Sequence, residues 1–115
     1  MRVAEVQFSN RGQTVVATLS GEIDLSNAER IGAAIGVGTP NEAHILVVDL
    51  TTVDYLDSAG IRLLYQLRER LRVRGQVLRL VVPPASPSSD ALRLAGVAGQ
   101  VETIETLEAA LDQSG

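Results

Sequence analysis

The run Ile45-Leu46-Val47-Val48 carries four aliphatic side chains in succession with no polar residue between them. A strand with one wet face alternates apolar with polar, so an unbroken run marks a strand covered on both faces. That strand is predicted to be central. Val77 to Val82 read as another largely buried strand. Strands of this kind need helices against them, which points to a layered α/β domain.

The remaining elements follow from turn and capping signals. Val3 to Phe8 and Thr14 to Leu19 are short apolar-rich segments joined by S-N-R-G-Q, and they read as a hairpin at one edge of a sheet. Ser26-Asn27-Ala28-Glu29 has the spacing of a capping box, followed by Ala28, Ile31, Ala34 and Ile35 at helical intervals. Gly36, Gly38 and Pro40 end that helix. From Ala59 the apolar positions become Leu64, Leu67 and Leu71, with Arg62, Gln66, Glu69 and Arg70 between them, up to Gly75. Pro83-Pro84 stops the Val77 strand, and Ser86 before Pro87 predicts a capped short helix running to Gly96. Val101 to Ile104 offer a last strand, and Thr106 opens a last helix flanked by Glu105 and Glu108. The predicted order is ββαβαβαβα in one domain, residues 1–115, with its core between about 3 and 111.

Composition removes several classes of function. At 115 residues one core suffices, and no apolar run approaches the length of a membrane span. Cysteine is absent, so neither disulfides nor a thiolate metal site is available, which fits a reducing cytoplasm. A net charge of −4, no lysine and 3% aromatics argue against a nucleic-acid partner. Arg68, Arg70, Arg72 and Arg74 cluster, but Glu69 interrupts them, and the expected outcome is a solvated helix face. There is no G-x-x-x-x-G-K and no G-x-G-x-x-G, so no nucleotide or other cofactor is expected.

The chemistry concentrates in V-D-Y-L-D-S-A-G-I-R-L-L, residues 53–64, where a strand turns into a helix around Ser58. As a nucleophile Ser58 would need a base, and the single histidine, His44, is expected at the opposite end of the intervening strand. The first glycine of a G-x-S-x-G elbow is missing as well. Asp24, Asp49, Asp54 and Asp57 could suggest a metal or an aspartyl-phosphate site, but the lysine of receiver domains is absent. Asp49 and Asp54 are expected in turns or loops, satisfying local backbone donors. Asp57 and Ser58 are both good helix caps, and one of them must hold the free N–H groups of a helix beginning at Ala59. A hydroxyl at the positive end of a helix on the rim of a sheet is also where an added phosphate would be tolerated and accessible. The residues alone leave cap and switch open.

The run V-V-D-L-T-T-V-D-Y-L-D-S-A-G-I-R-L-L resembles the signature of the STAS domain, and specifically of bacterial anti-sigma factor antagonists. S-G-E-I-D-L-S-N-A is similar to that family's first motif, and weaker agreement runs through P-P-A-S-P and L-R-L-A-G-V to T-L-E-A-A-L, from Val3 to Leu111. The resemblance implies a mixed sheet with an N-terminal hairpin and about four helices. It implies that Ser58 is phosphorylated by a partner that is both anti-sigma factor and serine kinase, and that a serine phosphatase resets it. Asp24 matches a family acid near that serine. The implied partner-binding and switch residues are Asp24, Asp57, Ser58, Ala59, Gly60 and Ile61, with Leu64 assigned to the core. Ala59 departs from the Ser or Thr that many members carry. The protein is then a kinase substrate rather than an enzyme, expected as a cytoplasmic monomer with a dimer as the alternative, and with no nucleic-acid or membrane partner. The rival is a STAS-type scaffold or ligand-sensing module in which Ser58 is only a cap.

Overall fold

Gly12, at φ 61°, turns the chain back on itself between β1 (Glu5–Arg11) and β2 (Thr14–Ile23). The two-residue connection closes on the pair Arg11–Thr14, and a glycine with positive φ at its first central position is what a type II′ hairpin turn requires. The computed structural model describes residues 3–97 and 99–112. After the hairpin come α1 (Ala28–Gly38), β3 (Ile45–Leu56), α2 (Ser58–Val73), β4 (Val77–Val81), α3 (Pro87–Leu94), β5 (Glu102–Ile104) and α4 (Leu107–Asp112). This is the predicted order. The ends of the predicted domain, residues 1–2 and 113–115, lie outside the described residues.

The strands lie in the sheet in chain order, β1-β2-β3-β4-β5, antiparallel only between β1 and β2 and parallel thereafter. β3 is central, as its aliphatic run predicts, and Leu46, Val47, Val48 and Leu50 are all at most 1% exposed. Each β-α-β connection advances one strand in the same direction, so a common hand places its helices on one face. There Ile31 and Ile35 of α1, Leu64, Leu67 and Leu71 of α2, and Leu92 of α3 join Leu46, Val48 and Leu80 in one core. α4 covers part of the other face, where Ala110 packs with Val16, Val47, Val81 and Ile104.

Three local expectations change. β3 does not stop at Val48 but continues to Leu56, because β2 goes on pairing with it through Gly21–Val53 and Ile23–Leu56 after β4 has ended at Asp49–Val81. Asp49 and Asp54 therefore lie within a strand rather than a turn. Asp49 is buried and still serves a local donor, accepting from the Thr51 amide at 2.9 Å. The Ser26 capping box does not form. The helix cap is Asn27, which makes no side-chain capping bond, since its Oδ1 accepts from Asp24 N at 3.1 Å and its Nδ2 donates to Glu22 O at 2.9 Å. Those groups hold the loop instead of the helix. Ser86 does cap α3 through the Ser89 amide, 3.1 Å away. Arg70, Arg72 and Arg74, at and just past the end of α2, are exposed as expected, whereas Arg68 is half-buried. Arg72 binds Glu69 and thereby holds its carboxyl below the usual range.

The extra length of β2 and β3 depends on Gly21, at φ 85°, beside shifts in the β2–β3 register. A Cβ there would stand 2.4 Å from the Val3 carbonyl oxygen. Gly21→Ala is expected to cost about 2–4 kcal/mol, combining left-handed strain with a backbone clash. Urea unfolding should show a lower midpoint at unchanged slope.

Candidate functional site

The two projecting strands end together at Ile23 and Leu56, and the Asp57 amide extends their ladder by donating to Ile23 O at 3.2 Å. The Asp57 side chain then does two things. Its Oδ1 accepts from the amides of Ala59 at 2.9 Å and Gly60 at 3.0 Å, capping α2. Its Oδ2 accepts from the Leu25 amide at 3.2 Å, across 32 residues of sequence. One carboxylate therefore starts a helix and ties the β2–α1 loop to it. In that loop Asp24 Oδ1 accepts from the Ser26 amide at 2.9 Å and from its hydroxyl, forming a local turn. Asp24 and Asp57 thus stand on adjacent, cross-linked loops.

The choice of cap between Asp57 and Ser58 is settled in favour of Asp57. α2 begins at Ser58 rather than Ala59, so the serine occupies the first helical position. It is exposed, and among the described residues nothing hydrogen-bonds its hydroxyl. Gly60 is where the helix meets the sheet: a Cβ would lie 2.4 Å from Leu56 Cδ1 and 3.3 Å from Ile23 Cγ2. Ile61 is half-buried against the core, and Leu64, 2% exposed, belongs to it. Ala59 lines a groove of about 390 Å³ between α1 and α2, with Leu25, Ala28 and Leu63 along it and Arg62 and Arg70 among its polar residues.

Two exposed apolar side chains beside the serine escape a reading by periodicity. Leu25, 79% exposed, sits in the Asp24 loop, and Tyr55, 51% exposed, is the next-to-last residue of β3. The signal for Leu25 is an apolar residue between an acid and a helix start, belonging to neither strand nor helix repeat. His44 is exposed and precedes β3, whereas Ser58 follows it, so the two stand at opposite ends of a 12-residue strand.

A model of the STAS domain matches residues 5–110. The chain belongs to the STAS domain family. It is 30% identical to the anti-sigma-F factor antagonist RsfB of Mycobacterium tuberculosis over 92% of this chain and 85% of that protein. Among solved structures it is similar to an anti-sigma factor antagonist from Mycobacterium paratuberculosis, with TM-score 0.83 and 25% identity over 96% of this chain and 92% of that one. It is also similar to the Bacillus cell fate determinant SpoIIAA in its phosphorylated form, with TM-score 0.62 and 26% identity, covering 95% of this chain and 98% of that one.

In this STAS domain the division between Asp57 and Ser58 can be read in stability. Asp57→Ala should cost about 1–2 kcal/mol through loss of the cap, and more if the Leu25 tether fails with it. Ser58→Ala should stay within about 0.5 kcal/mol of the parent, as for an exposed side chain without partners. Chemical denaturation of both variants beside the parent checks the contrast.

Proposed function

We propose that this protein is an anti-sigma factor antagonist whose binding is switched by phosphorylation of Ser58. Unphosphorylated, it docks on an anti-sigma factor that is also a serine kinase, and so frees a sigma factor. Phosphorylated, it releases that partner until a serine phosphatase removes the phosphate. It is a substrate in this cycle, not a catalyst. The observation that carries the reading is that Asp57 performs the capping, leaving the neighbouring hydroxyl exposed on a rigid helix start. A serine needed as a cap would have had a structural reason to be there. Ser58 lacks one. The name of RsfB and the phosphorylated form of SpoIIAA lend the same support from relatives.

The physical account is electrostatic. A phosphate adds about −1.5 to −2 charge. The amides of Ala59 and Gly60 already serve the Asp57 carboxylate, so the new charge is added next to an acid. At ~5 Å each added unit charge costs between about 1 kcal/mol in bulk-like water and about 3 kcal/mol at an effective dielectric of ~20. The repulsion is present before docking too, so only its growth as a partner covering Asp24, Asp57, Ala59 and Ile61 excludes water, about 2 kcal/mol, opposes binding, a loss of roughly thirty-fold where the partner brings no compensating cation. Gly60 contributes by letting α2 approach Leu56, which fixes where the serine stands.

The test is a titration of three forms against the cognate anti-sigma kinase with ADP present, together with the mass of the peptide containing Ser58 from the native cells. Ser58→Ala should bind at least as tightly as the parent and resist phosphorylation. Ser58→Asp should fold normally yet bind roughly five-fold or more weakly, its single charge reproducing part of the phosphate's effect. Equal affinities for the Ala, Asp and phosphorylated forms would refute the switch.

A further inference from the structure

The outer edge of β1 is a seven-residue strand whose far side pairs with nothing among the described residues, while the opposite edge of the sheet closes with only three residues in β5. Proteins guard such edges with proline, bulges, charged side chains or very short strands. β1, E-V-Q-F-S-N-R, has no proline, and its register with β2 is uninterrupted from Glu5–Ser20 to Arg11–Thr14. What it has is a charge at each end, and neither Glu5 nor Arg11 has an ion pair within the chain among the described residues.

We propose that β1 pairs with the β1 edge of a second copy, antiparallel and centred on Phe8, joining two five-stranded sheets into one. A two-fold axis at Phe8 sets Val6 against Asn10, Gln7 against Ser9, and Glu5 against Arg11. The opposite-charge pair is made twice. Moving the register by two residues either way leaves at least one charge of each chain without its mate, so the sequence is self-complementary in this register. The backbone phase agrees. With the turn closed at Arg11–Thr14, ladder alternation directs the backbone groups of Glu5, Gln7, Ser9 and Arg11 toward β2 and those of Val6, Phe8 and Asn10 outward. Phe8 then forms a hydrogen-bonded pair on the axis.

Side chains add to this. Phe8 is the only phenylalanine, is 40% exposed, and lies against the end of α1, where a Cβ on Gly38 would come within 2.5 Å of its ring. In the pair, two such rings stand directly opposite each other across the axis on the helix-covered face, within the cross-strand reach of aromatic side chains. The Asp57 loop lies beyond Ile23, past the end of the β1–β2 ladder at Ser20, so it stays open in the dimer. A seven-residue edge is small beside a standard interface, and the association is accordingly weak and concentration-dependent.

Sedimentation equilibrium on the whole chain tests it, with thermal unfolding of each variant as the check on folding. The parent should dimerise reversibly below about 1 mM. Glu5→Arg alone and Arg11→Glu alone should each weaken the dimer about ten-fold or more, since like charges then face each other twice. An equimolar mixture of those two variants should recover association as heterodimers, because every opposed pair is again opposite in charge. The double variant carrying both changes should dimerise within about three-fold of the parent. A parent that stays monomeric at about 1 mM, single variants that associate like the parent, or a mixture of folded single variants that fails to associate would each overturn the proposal.

Discussion

The carboxylate of Asp57 is the interaction on which the site depends. Its position is set by the last β2–β3 pair, and it accepts from three backbone amides, two at the start of α2 and one in the loop before α1. A carboxylate engaged by several N–H groups is a strong acceptor set, because charge-assisted bonds are worth more than neutral ones. The same three bonds decide where Ser58 stands. They fix the first turn of α2 without using the serine, which leaves its hydroxyl available to solvent and to other proteins.

Much of the architecture is legible in the chain. Ile45 to Val48 announces the central strand because burial on both faces leaves no room for polar alternation, and the leucines of α2 repeat at the spacing that fills the core. The second half of β3 is not legible in this way. Beyond Asp49 it has β2 on one side but no longer β4 on the other, so T-T-V-D-Y-L keeps exposed polar residues and reads as a loop. Ser26 misleads for a different reason: its spacing to Glu29 fits a capping box, but the nearby Asp24 takes the hydroxyl.

At the candidate site, the sequence groups Asp57 and Ser58 in one segment but does not give their structural roles. Asp and Ser are both favoured caps, and no local pattern chooses between them. The choice rests on the Leu25–Asp57 bond and on the Gly60–Leu56 approach, which depend on tertiary geometry. A contact between residues 32 positions apart leaves no periodic trace in either loop. The exposed Leu25 is its nearest local sign.

The strand order has a further consequence for how the molecule is made. Because β1 to β5 lie side by side in the order of synthesis, each new strand can be laid against the one completed before it, with no gap kept open for a later segment. Chains that emerge N-terminus first fold most readily when early segments find early partners. The hairpin can close on its own short turn, β3 can dock on β2 once α1 has emerged, and both loops carrying Asp24 and Asp57 exist once α2 is complete. The ribosome would then still hold β4, α3, β5 and α4, so the end of the molecule that carries Asp24, Asp57 and Ser58 is the first to be finished.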